Sequence, residues 1–501
     1  MSVPEPPAST PYAELVAATN FSFLRGASHP FEMVAQAAGL GLSGIGICDR
    51  NSFSGIVRAH SALKDLKKDF PDFRLVVGAR LIFVDGTPDI AVYPTDRDAY
   101  GRLSALLTLG NRRAPKGECR LELQDLIDKI EGQLLIVLPR DGNIEADADI
   151  ACNLAAVAPR RVWLAAAPRF DGIDRERLNR IRQACRSRGL SMLATMEPLY
   201  HEPTREVIQD VVTCIREGVT IYDAGFLLTP NSERYIYPPR DMARLFAEHL
   251  QALAETNRFL SLISFSLDQL KYIYPEETVG NGETAQQTLE RLAHEGARAR
   301  YPDGIPEKVK KGLEHELALI GEMGYAPYFL TVQDIVRFAR QERGILCQGR
   351  GSAANSAVCF CLGITEVDPM LVDLLFERFV STERDEPPDI DVDFEHERRE
   401  EVMQYIYQKY GRHRAGLTAN VITYRAKGAI RDVGRVFGLS DDTITSISGL
   451  NWGWGGIDIP PERMRQIGLD PDDRTIGMVM EIANALYGFP RHLGQHVGGF
   501  V

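Results

Sequence analysis

Several kinds of segment that define whole classes of protein are missing from this chain of 501 residues. No apolar run approaches the roughly 20 residues that a helix needs to cross a membrane. The N-terminal segment, MSVPEPPAST, has neither the basic nor the apolar stretch of a secretory signal. The eight cysteines include no C-x-x-C pair, which argues against a disulfide framework or a zinc knuckle. These absences predict a cytoplasmic protein that does not bind a membrane.

Positive charge is also in short supply, because the formal net charge is −12. Such a balance argues against a protein that coats nucleic acid with its whole surface. One segment departs from it, since residues 409–435 contain a single acid, Asp432, and seven basic residues: Lys409, Arg412, Arg414, Arg425, Lys427, Arg431 and Arg435. The segment is therefore a candidate phosphate-binding surface. The rest of the composition, 44% hydrophobic and 25% charged, is that of a soluble globular protein, and the length predicts about two to four domains.

An acidic stretch with a period of two runs from Pro387 to Phe394, PPDIDVDF. If it is a β-strand, Asp389, Asp391 and Asp393 share one face and the apolar residues share the other. Closely spaced carboxylates repel one another unless they share protons or hold cations. Mg²⁺ prefers a few carboxylates, several waters and the phosphates of a substrate. The stretch thus indicates a metal-phosphate site, with an acidic edge strand facing solvent as the alternative.

A glycine-rich stretch, Gln348–Ser356, precedes it by about 40 residues. We expect it to follow a short strand, Ile345–Cys347, and to open a helix at Ala354–Leu362. Glycines allow close approach of the backbone, amides at a helix N-terminus point at an anion, and Arg350 and Ser352 supply donors. The pattern is typical of a loop that holds a triphosphate. Many strand-to-helix turns are rich in glycine, so the nearby acidic strand is what makes the prediction specific.

Strands alternate with helices in the first half of the chain, which predicts βα units around a parallel sheet or barrel. A helix is expected over His29–Ala38, with Ser28 as its N-cap and Pro30 at its first position. The strand Gly44–Asp49, a helix at Arg58–Lys68 and a strand at Leu75–Phe83 follow. Residues 278–283 are a plausible linker. Beyond it, helices are predicted at Thr284–Arg300, Pro306–Met323 and from Gly324 to about Gly344.

The phrases GRGSAANSAVCFCLGIT, DPMLVDLLFERFVSTER and PPDIDVDF resemble the palm of bacterial C-family DNA polymerases, the family of the DNA polymerase III α subunit. That resemblance implies a polymerase-β-like nucleotidyltransferase palm in which Asp391 and Asp393 are catalytic and bind two Mg²⁺ ions. Asp389 is not one of the family's ligands. Residues that would contact the incoming nucleotide are Arg350, Gly351, Ser352 and Arg378, with Arg384 nearby. For Arg378 and Arg384, ion pairs with neighbouring acids are an equal alternative.

The N-terminal phrases NFSFLRGASHP, GICDRNSFSG and VVGARL resemble the polymerase-and-histidinol-phosphatase (PHP) domain of the same family, a distorted (β/α)₇ barrel. The family's metal ligands are largely missing here. Its H-x-H positions fall on Val16 and Ala18, its glutamate falls on Arg80, and its late N-D-x-H phrase reads Ala194–Leu199, while Asp49 is kept. Apolar side chains do not ligate metals, so we expect a metal-free, inactive barrel.

The resemblance covers Tyr12–Val501 and implies a domain order. In chain order, the expected parts are a disordered tail (1–10), a PHP domain (11–275), the first part of the palm (276–421), a mainly helical thumb (422–489) and the start of a returning palm segment (490–501). On the thumb, Lys427, Arg431 and Arg435 recur every four residues and would bind DNA phosphates, with a solvated helix face as the alternative. Relatives continue with a third carboxylate and fingers. The chain is therefore expected to be an N-terminal part of a protein about twice as long and to be inactive alone.

Two branches of the family are compatible with the sequence. The phrases ERDEPPDIDVDFEHERREEVMQYIY and LTANVITYRAKGAIRDVG resemble the error-prone, damage-inducible branch, and the replicative α subunit is the alternative. The resemblance implies primer-template DNA and deoxynucleoside triphosphates as substrates. A sliding clamp and accessory mutagenesis proteins would be partners. Two interpretations of other classes stay open, a metallophosphoesterase centred on the barrel and a non-catalytic scaffold.

Overall fold

A computed structural model of the chain describes residues 10–271, 282–371, 376, 379–380, 388–451 and 456–501. The chain divides into two compact units. Unit 1 consists of the residues up to 270 together with 419–494, and unit 2 consists of 271–418 together with 495–501. In sequence, most of unit 2 is therefore an insertion between the two parts of unit 1.

The described residues contain eleven strands, which form one large sheet and two strand pairs. In chain order the strands are β1 Ala13–Ala17, β2 Gly44–Arg50, β3 Arg74–Leu81, β4 Ile90–Pro94, β5 Gln133–Val137, β6 Val162–Ala166, β7 Ser191–Ala194, β8 Cys347–Arg350, β9 Asp391–Phe394, β10 Leu417–Thr423 and β11 Pro490–Phe500. Strands β1 to β7 form a single sheet in sequence order, β8 pairs with β9, and β10 pairs with β11.

Helices connect most of these strands and dominate the rest of the chain. They are α1 Pro30–Gly39, α2 Ile56–Leu66, α3 Arg97–Arg112, α4 Leu123–Ile127, α5 Ile144–Val157, α6 Asp174–Arg188, α7 Glu206–Glu217, α8 Pro239–Leu245, α9 Leu250–Ser261, α10 Ala285–Arg300, α11 Glu307–Met323, α12 Ala326–Arg337, α13 Ala357–Cys361, α14 Arg399–Tyr410, α15 Ala426–Val436, α16 Asp441–Leu450, α17 Pro461–Gln466 and α18 Arg474–Leu486. The fold is thus mixed α/β, as the alternation of strands and helices predicts.

The seven-stranded sheet is not parallel throughout. Strands β1, β2 and β3 are parallel, as are β5, β6 and β7, but β4 is antiparallel to both of its neighbours. The predicted parallel pairing therefore holds on both sides of β4 but is wrong at β4 itself. The connection of residues 82–89 contains no helix, and a chain that returns without a crossover pairs in the antiparallel sense.

The sheet curls so that its first strand meets the chain around the end of its last strand. Glu14 of β1 is buried and accepts hydrogen bonds from the Thr195 hydroxyl (2.6 Å) and the Met196 amide (2.9 Å). The Ala18 amide donates to the Pro198 carbonyl at 3.0 Å. Burial raises the pKa of Glu14, and these donors oppose that rise. A buried acid thus links the two edges of the curled sheet.

Unit 1 has a second core, which combines residues from both of its sequence segments. Helix α7 contributes Val211 and Val212, and helix α15 contributes Ile430 and Val433, all fully buried or nearly so. The Ile221 amide also donates to the Val436 carbonyl at 2.9 Å. The apolar residues Ala426, Ile430 and Val433 lie on the buried face of α15. Residues 419–494 therefore fold as part of unit 1.

Unit 2 is built around helices α10 to α13. Thr284 caps α10, as the predicted start of that helix requires, and α11 and α12 also lie where the sequence predicts them. Their apolar faces pack together, with Phe329 and Ile320 fully buried. Helix α12 continues into a π-helical turn, Phe338–Glu342, which leads the chain to β8. The helices thus support the hairpin-like pair β8–β9.

Candidate functional site

Strands β8 and β9 bring together the glycine-rich stretch and the acidic stretch. The strands are antiparallel, with Arg350 opposite Asp391 and Gln348 opposite Asp393. Asp391 and Asp393 are two residues apart on one strand, so both lie on the same face of the pair. Both are exposed, whereas Val392 between them packs against the unit 2 core. The glycine-rich stretch and the acidic strand are therefore neighbours in space.

Arg350 contacts one of the two carboxylates directly. Its Nε donates to Asp393 Oδ1 at 3.0 Å, diagonally across the strand pair. Both side chains are about two-thirds exposed, 62% for Arg350 and 68% for Asp393. An exposed pair of this kind contributes about 0–1 kcal/mol, so a stronger ligand readily replaces it. Arg350 is thus available to an anion and Asp393 to a cation.

Strand β9 is shorter than the predicted strand. It begins at Asp391, because the backbone just before it is bonded elsewhere. The Asp389 carbonyl accepts from the Ser352 hydroxyl at 3.1 Å, and the Ile390 amide donates to the Tyr328 hydroxyl at 3.0 Å. Burial raises the pKa of Tyr328 to about 12, so the phenol stays neutral. Ser352 therefore holds the acidic segment in place through the backbone of Asp389.

The positions of Gly351 and Gly349 in the glycine-rich stretch each favour glycine for a different physical reason. Gly351 has φ +66°, a left-handed conformation that favours glycine, and a Cβ at this position would lie 3.7 Å from Asp391 Oδ2. Gly349 is confined by its surroundings instead, since a Cβ there would lie 2.8 Å from the Ile364 carbonyl oxygen. The first glycine allows the chain to turn beside Asp391, and the second allows β8 to pack closely against residue 364.

The expected helix at Ala354–Leu362 is only partly correct. Residues Gly351–Asn355 form a 3₁₀ turn, and α13 begins at Ala357. Its first amides do not point at a ligand, because Glu316 accepts from the Ala357 amide (2.8 Å) and the Val358 amide (2.9 Å), and from the Ser356 hydroxyl (2.7 Å). Burial raises the pKa of Glu316 to about 7, against the effect of these donors. A buried acid thus fills the anion position that the sequence assigned to a phosphate.

The donors at this site fit a hard cation that also binds a substrate. Two exposed carboxylates on one strand face suit Mg²⁺, which keeps several waters and takes further oxygens from phosphates. In the described residues, no group of three or more histidine, cysteine, aspartate or glutamate side chains could hold a metal ion. Arg378 and Arg384 lie outside the described residues, and their contact with the incoming nucleotide stays a prediction.

The basic residues of α15 lie on the face opposite its buried stripe. Lys427 and Arg435 are exposed and Arg431 is half-buried. Arg431 pairs with the neighbouring Asp432 at 3.3 Å, and Arg435 pairs with Asp441 at 3.3 Å. The Arg435–Asp441 pair is exposed, and such pairs are weak and screened by salt, so Arg435 stays accessible to phosphates. The predicted basic row is present as a surface of unit 1.

The curled sheet of unit 1 carries the residues that, by the resemblance, replace the PHP metal ligands. Val16 and Ala18 are buried, and Arg80 lies on β3 beside Arg50 of β2. Arg80 donates to Asp89 (2.8 Å) and to Glu197 (3.1 Å). Asp49 is buried and accepts hydrogen bonds from the Thr19 amide and hydroxyl and from the Ser22 hydroxyl. Asp49 therefore acts as a structural acceptor.

Glu197 lies at the centre of this arrangement and is not among the predicted site residues. Three guanidinium groups surround its buried carboxylate, those of Arg80, Arg169 (2.8 Å) and Arg234 (3.4 Å). Burial alone would raise the pKa of Glu197, but Arg169, Arg80 and Arg234 together lower it to about 2. The residue stays ionised and is fully engaged. The one sequence signal for this role is that Glu197 lies in Ala194–Leu199, the segment that replaces the family's N-D-x-H phrase.

Comparison with known proteins shows which proteins this chain is similar to. Residues 287–501 match the family model described as the bacterial DNA polymerase III alpha NTPase domain. A protein named error-prone DNA polymerase from Brucella abortus biovar 1 (strain 9-941) is 54% identical over 98% of this chain and 46% of that relative. Another of that name, from Bradyrhizobium sp. (strain ORS 278), is 52% identical over 98% of this chain and 42% of the relative.

The chain is a homologue of the error-prone DNA polymerases. This confirms the resemblance to C-family polymerases and favours the error-prone branch. The chain spans about half the length of the curated relatives it matches. Among solved structures, a putative metal-dependent phosphoesterase from Bifidobacterium adolescentis is similar with a TM-score of 0.29 and 15% identity, over 38% of this chain and 88% of that one. In the described residues, no helix is both long and apolar enough to span a bilayer.

Proposed function

We propose that this chain is part of a DNA polymerase that adds deoxynucleotides to a primer 3′ end, in error-prone synthesis across damaged template. The observation that carries the proposal is the strand pair β8–β9. It brings Arg350 and Gly351 beside Asp391 and Asp393 inside the segment that matches the polymerase III alpha family model. The names of the relatives support the error-prone branch over the replicative α subunit.

In this proposal the two strand carboxylates, Asp391 and Asp393, hold two Mg²⁺ ions. When bound, the ions would lower the pKa of the primer hydroxyl and neutralise charge on the leaving pyrophosphate. The chain's own residues prepare the site. Arg350, now paired with Asp393, moves to the triphosphate when the carboxylate takes a cation, and its planar fork suits phosphate oxygens.

The neighbouring residues position these groups. Gly351 lets the turn run close to Asp391 without a side chain between them. Ser352 fixes the backbone at Asp389 and so the start of β9. Arg378 is proposed as a further contact to the triphosphate, by resemblance alone.

The surrounding parts take the family's roles. Residues 11–275 would be a PHP-type barrel kept as a scaffold, 276–421 the first part of the palm, 422–489 the thumb and 490–501 the start of the returning palm. On the thumb, Lys427, Arg431 and Arg435 would follow the phosphates of primer-template DNA without reading its sequence. A sliding clamp and accessory mutagenesis proteins are proposed as partners of the whole polymerase.

Primer extension tests the proposal. The 501 residues would be joined to the part of the Brucella abortus relative that the comparison leaves uncovered, and extension of a primed template measured with and without Mg²⁺. We expect Mg²⁺-dependent extension, which Asp391→Ala and Asp393→Ala each lower by about a hundred-fold or more, because each removes a metal ligand. Templates with an abasic site would then separate the error-prone from the replicative branch.

Asp389→Ala is the matched control. It removes an exposed carboxylate from the same segment but keeps the carbonyl that Ser352 binds. We expect it to retain most of the extension activity. Equal loss in all three variants, or a folded chimaera that does not extend primers, would contradict the catalytic proposal and favour a non-catalytic scaffold.

A further inference from the structure

Helix α13 is short, but it lies within the core of unit 2. It has five residues, all of them buried. Helix α10 approaches it so closely that a Cβ on Gly296 would overlap the Cys361 carbonyl oxygen. An isolated helix of this length is unstable in water, so the position of α13 depends on the groups that bind its two ends.

Glu316 of α11 binds the N-terminal end of α13. The residue is 3% exposed, and its carboxylate accepts from the Ser356 hydroxyl and from the Ala357 and Val358 amides, as described above. A helix leaves its first amides without partners inside the helix, and Glu316 is the partner of two of them. Because unpaired donors are costly in a core, loss of this acceptor would loosen the start of α13.

The C-terminal end of α13 is bound to strand β8. The Gly349 amide of β8 donates to the carbonyl of Ile364, shortly after α13, at 2.7 Å. Arg340 joins the same two segments, because its guanidinium donates to the Gly363 carbonyl and to the Cys347 carbonyl of β8, each at 2.6 Å. A displacement of α13 is therefore passed on to β8.

The glycine-rich stretch is thus fastened to α13 near both of its ends. Near its start, Gly349 binds the segment that follows α13, and at its end Ser356 is the N-cap of α13. Arg350 and Gly351, which lie beside the acidic strand, belong to the part between these two points. A helix that holds both ends of a loop sets the position of the residues within that loop.

We propose that Glu316 is a positioning residue for the glycine-rich stretch. It holds α13, and α13 in turn holds the segment that carries Arg350 and Gly351. A role in nucleotide binding rests on the proposed function, but the structural link from Glu316 to β8 does not. A residue that only capped α13 would affect the start of that helix alone, so the amide of Gly349 distinguishes the two roles.

Hydrogen–deuterium exchange of the 501-residue chain tests the link. Glu316→Gln keeps the size of the side chain but replaces one acceptor oxygen by an NH₂ donor. We expect the Ala357 and Val358 amides to exchange about ten-fold faster and the Gly349 amide about three-fold faster. Amides of α12, in the same core, should exchange at an unchanged rate, which separates this effect from a general loosening of unit 2. Unchanged exchange at Gly349 overturns the proposal.

Glu314→Gln is the matched control, because Glu314 lies on the same helix, α11, but is exposed. It should leave all three amides as protected as in the unchanged chain, and an equal effect of this control overturns the proposal. Ser356→Ala is a second variant, since it removes one donor to Glu316 and the N-cap of α13. If circular dichroism shows that Glu316→Gln unfolds the chain, faster exchange at Gly349 in Ser356→Ala supports the link and unchanged exchange overturns it.

Primer extension by the chimaera described above tests the role in nucleotide binding. We expect Glu316→Gln to raise the KM for deoxynucleoside triphosphates about ten-fold and to change kcat by less than about two-fold, because Arg350 adjoins Gly349. A loss of stability alone would reduce the amount of active enzyme, and hence the apparent kcat, without raising KM. An unchanged KM overturns the positioning role. A chimaera that extends no primer contradicts the proposed function, whereas the exchange result still decides the link.

Discussion

The carboxylate of Glu197 in unit 1 and those of Asp391 and Asp393 in unit 2 occupy opposite environments. In unit 1, Glu197 is buried and three guanidinium groups take up its charge. In unit 2, Asp391 and Asp393 are exposed. Asp393 forms an ion pair with Arg350, and both side chains of that pair are exposed. Both arrangements stand at positions where relatives of this chain would bind metals, according to the resemblance stated above.

The difference shows what separates a structural acid from one ready to bind a metal. A buried carboxylate surrounded by arginines has already found its counter-charges, so a metal ion would have to displace them and desolvate again. An exposed carboxylate loses about 1 kcal/mol or less when it exchanges a surface arginine for a cation. Residue type alone does not distinguish the two cases, because burial and neighbours decide.

The largest expected difference in stability is between two substitutions that each replace a carboxylate by an uncharged amide. Glu197→Gln leaves three guanidinium groups without their shared carboxylate, so we expect the free energy of unfolding to fall by about 3–5 kcal/mol. Asp391→Asn changes an exposed residue and should alter it by about 0.5 kcal/mol or less. Urea denaturation followed by circular dichroism measures both.

Glu217→Gln serves as a control in unit 1, since it removes an exposed partner of Arg216. Its effect should be about 0–1 kcal/mol. Similar losses for Glu197→Gln and Asp391→Asn would erase the proposed distinction between the units.

Acid titration of stability sharpens the same contrast. The folded pKa of Glu197, about 2, lies below its ordinary value of 4.5, so its contribution to stability is complete above pH 4.5 and is lost as the pH falls towards 2. The stability difference between the unchanged chain and Glu197→Gln should therefore shrink over that window. Thermal unfolding at pH 6, 4 and 2.5 measures it, and a difference that is constant with pH would contradict the ionised state of Glu197.

The smallest effects concern the backbone beside the exposed acids. Gly349→Ala places a methyl group 2.8 Å from the Ile364 carbonyl and should cost about 1–3 kcal/mol. Gly351→Ala has room for the methyl group but must adopt φ +66°, which costs about 1–2 kcal/mol. Chemical denaturation compares them with Gly449→Ala, a helical position with open space and no such conformation, which we expect to be neutral or stabilising.

Much of the fold follows from local sequence patterns. A buried apolar run predicts β2, and helical periodicity with capping residues predicts α10 and α11, because these elements depend on residues close to one another in sequence. The start of α1 is a near miss. His29, not Ser28, is its N-cap, since the Ser28 hydroxyl hydrogen-bonds to His201 from a distant part of the chain.

The candidate site shows where such patterns stop. The alternation of aspartates predicts that Asp391 and Asp393 share a face, which holds as soon as the segment is extended. Local rules also predict free amides at the start of α13, but Glu316 comes from α11 and binds them. The arginines around Glu197 likewise come from β3 and from two loops far apart in sequence. Contacts between residues so far apart in sequence produce no periodic pattern in it.

The shared core of α7 and α15 also governs the order in which the chain can fold. Val211 and Val212 leave the ribosome long before Ile430 and Val433, and the whole of the 271–418 segment is made in between. Until then the apolar face of α7 has no partner from the later segment. Contacts between residues so distant in sequence are slow to form and leave hydrophobic surface open to aggregation. A nascent chain of this protein therefore stays vulnerable until residues 419–494 arrive to complete unit 1.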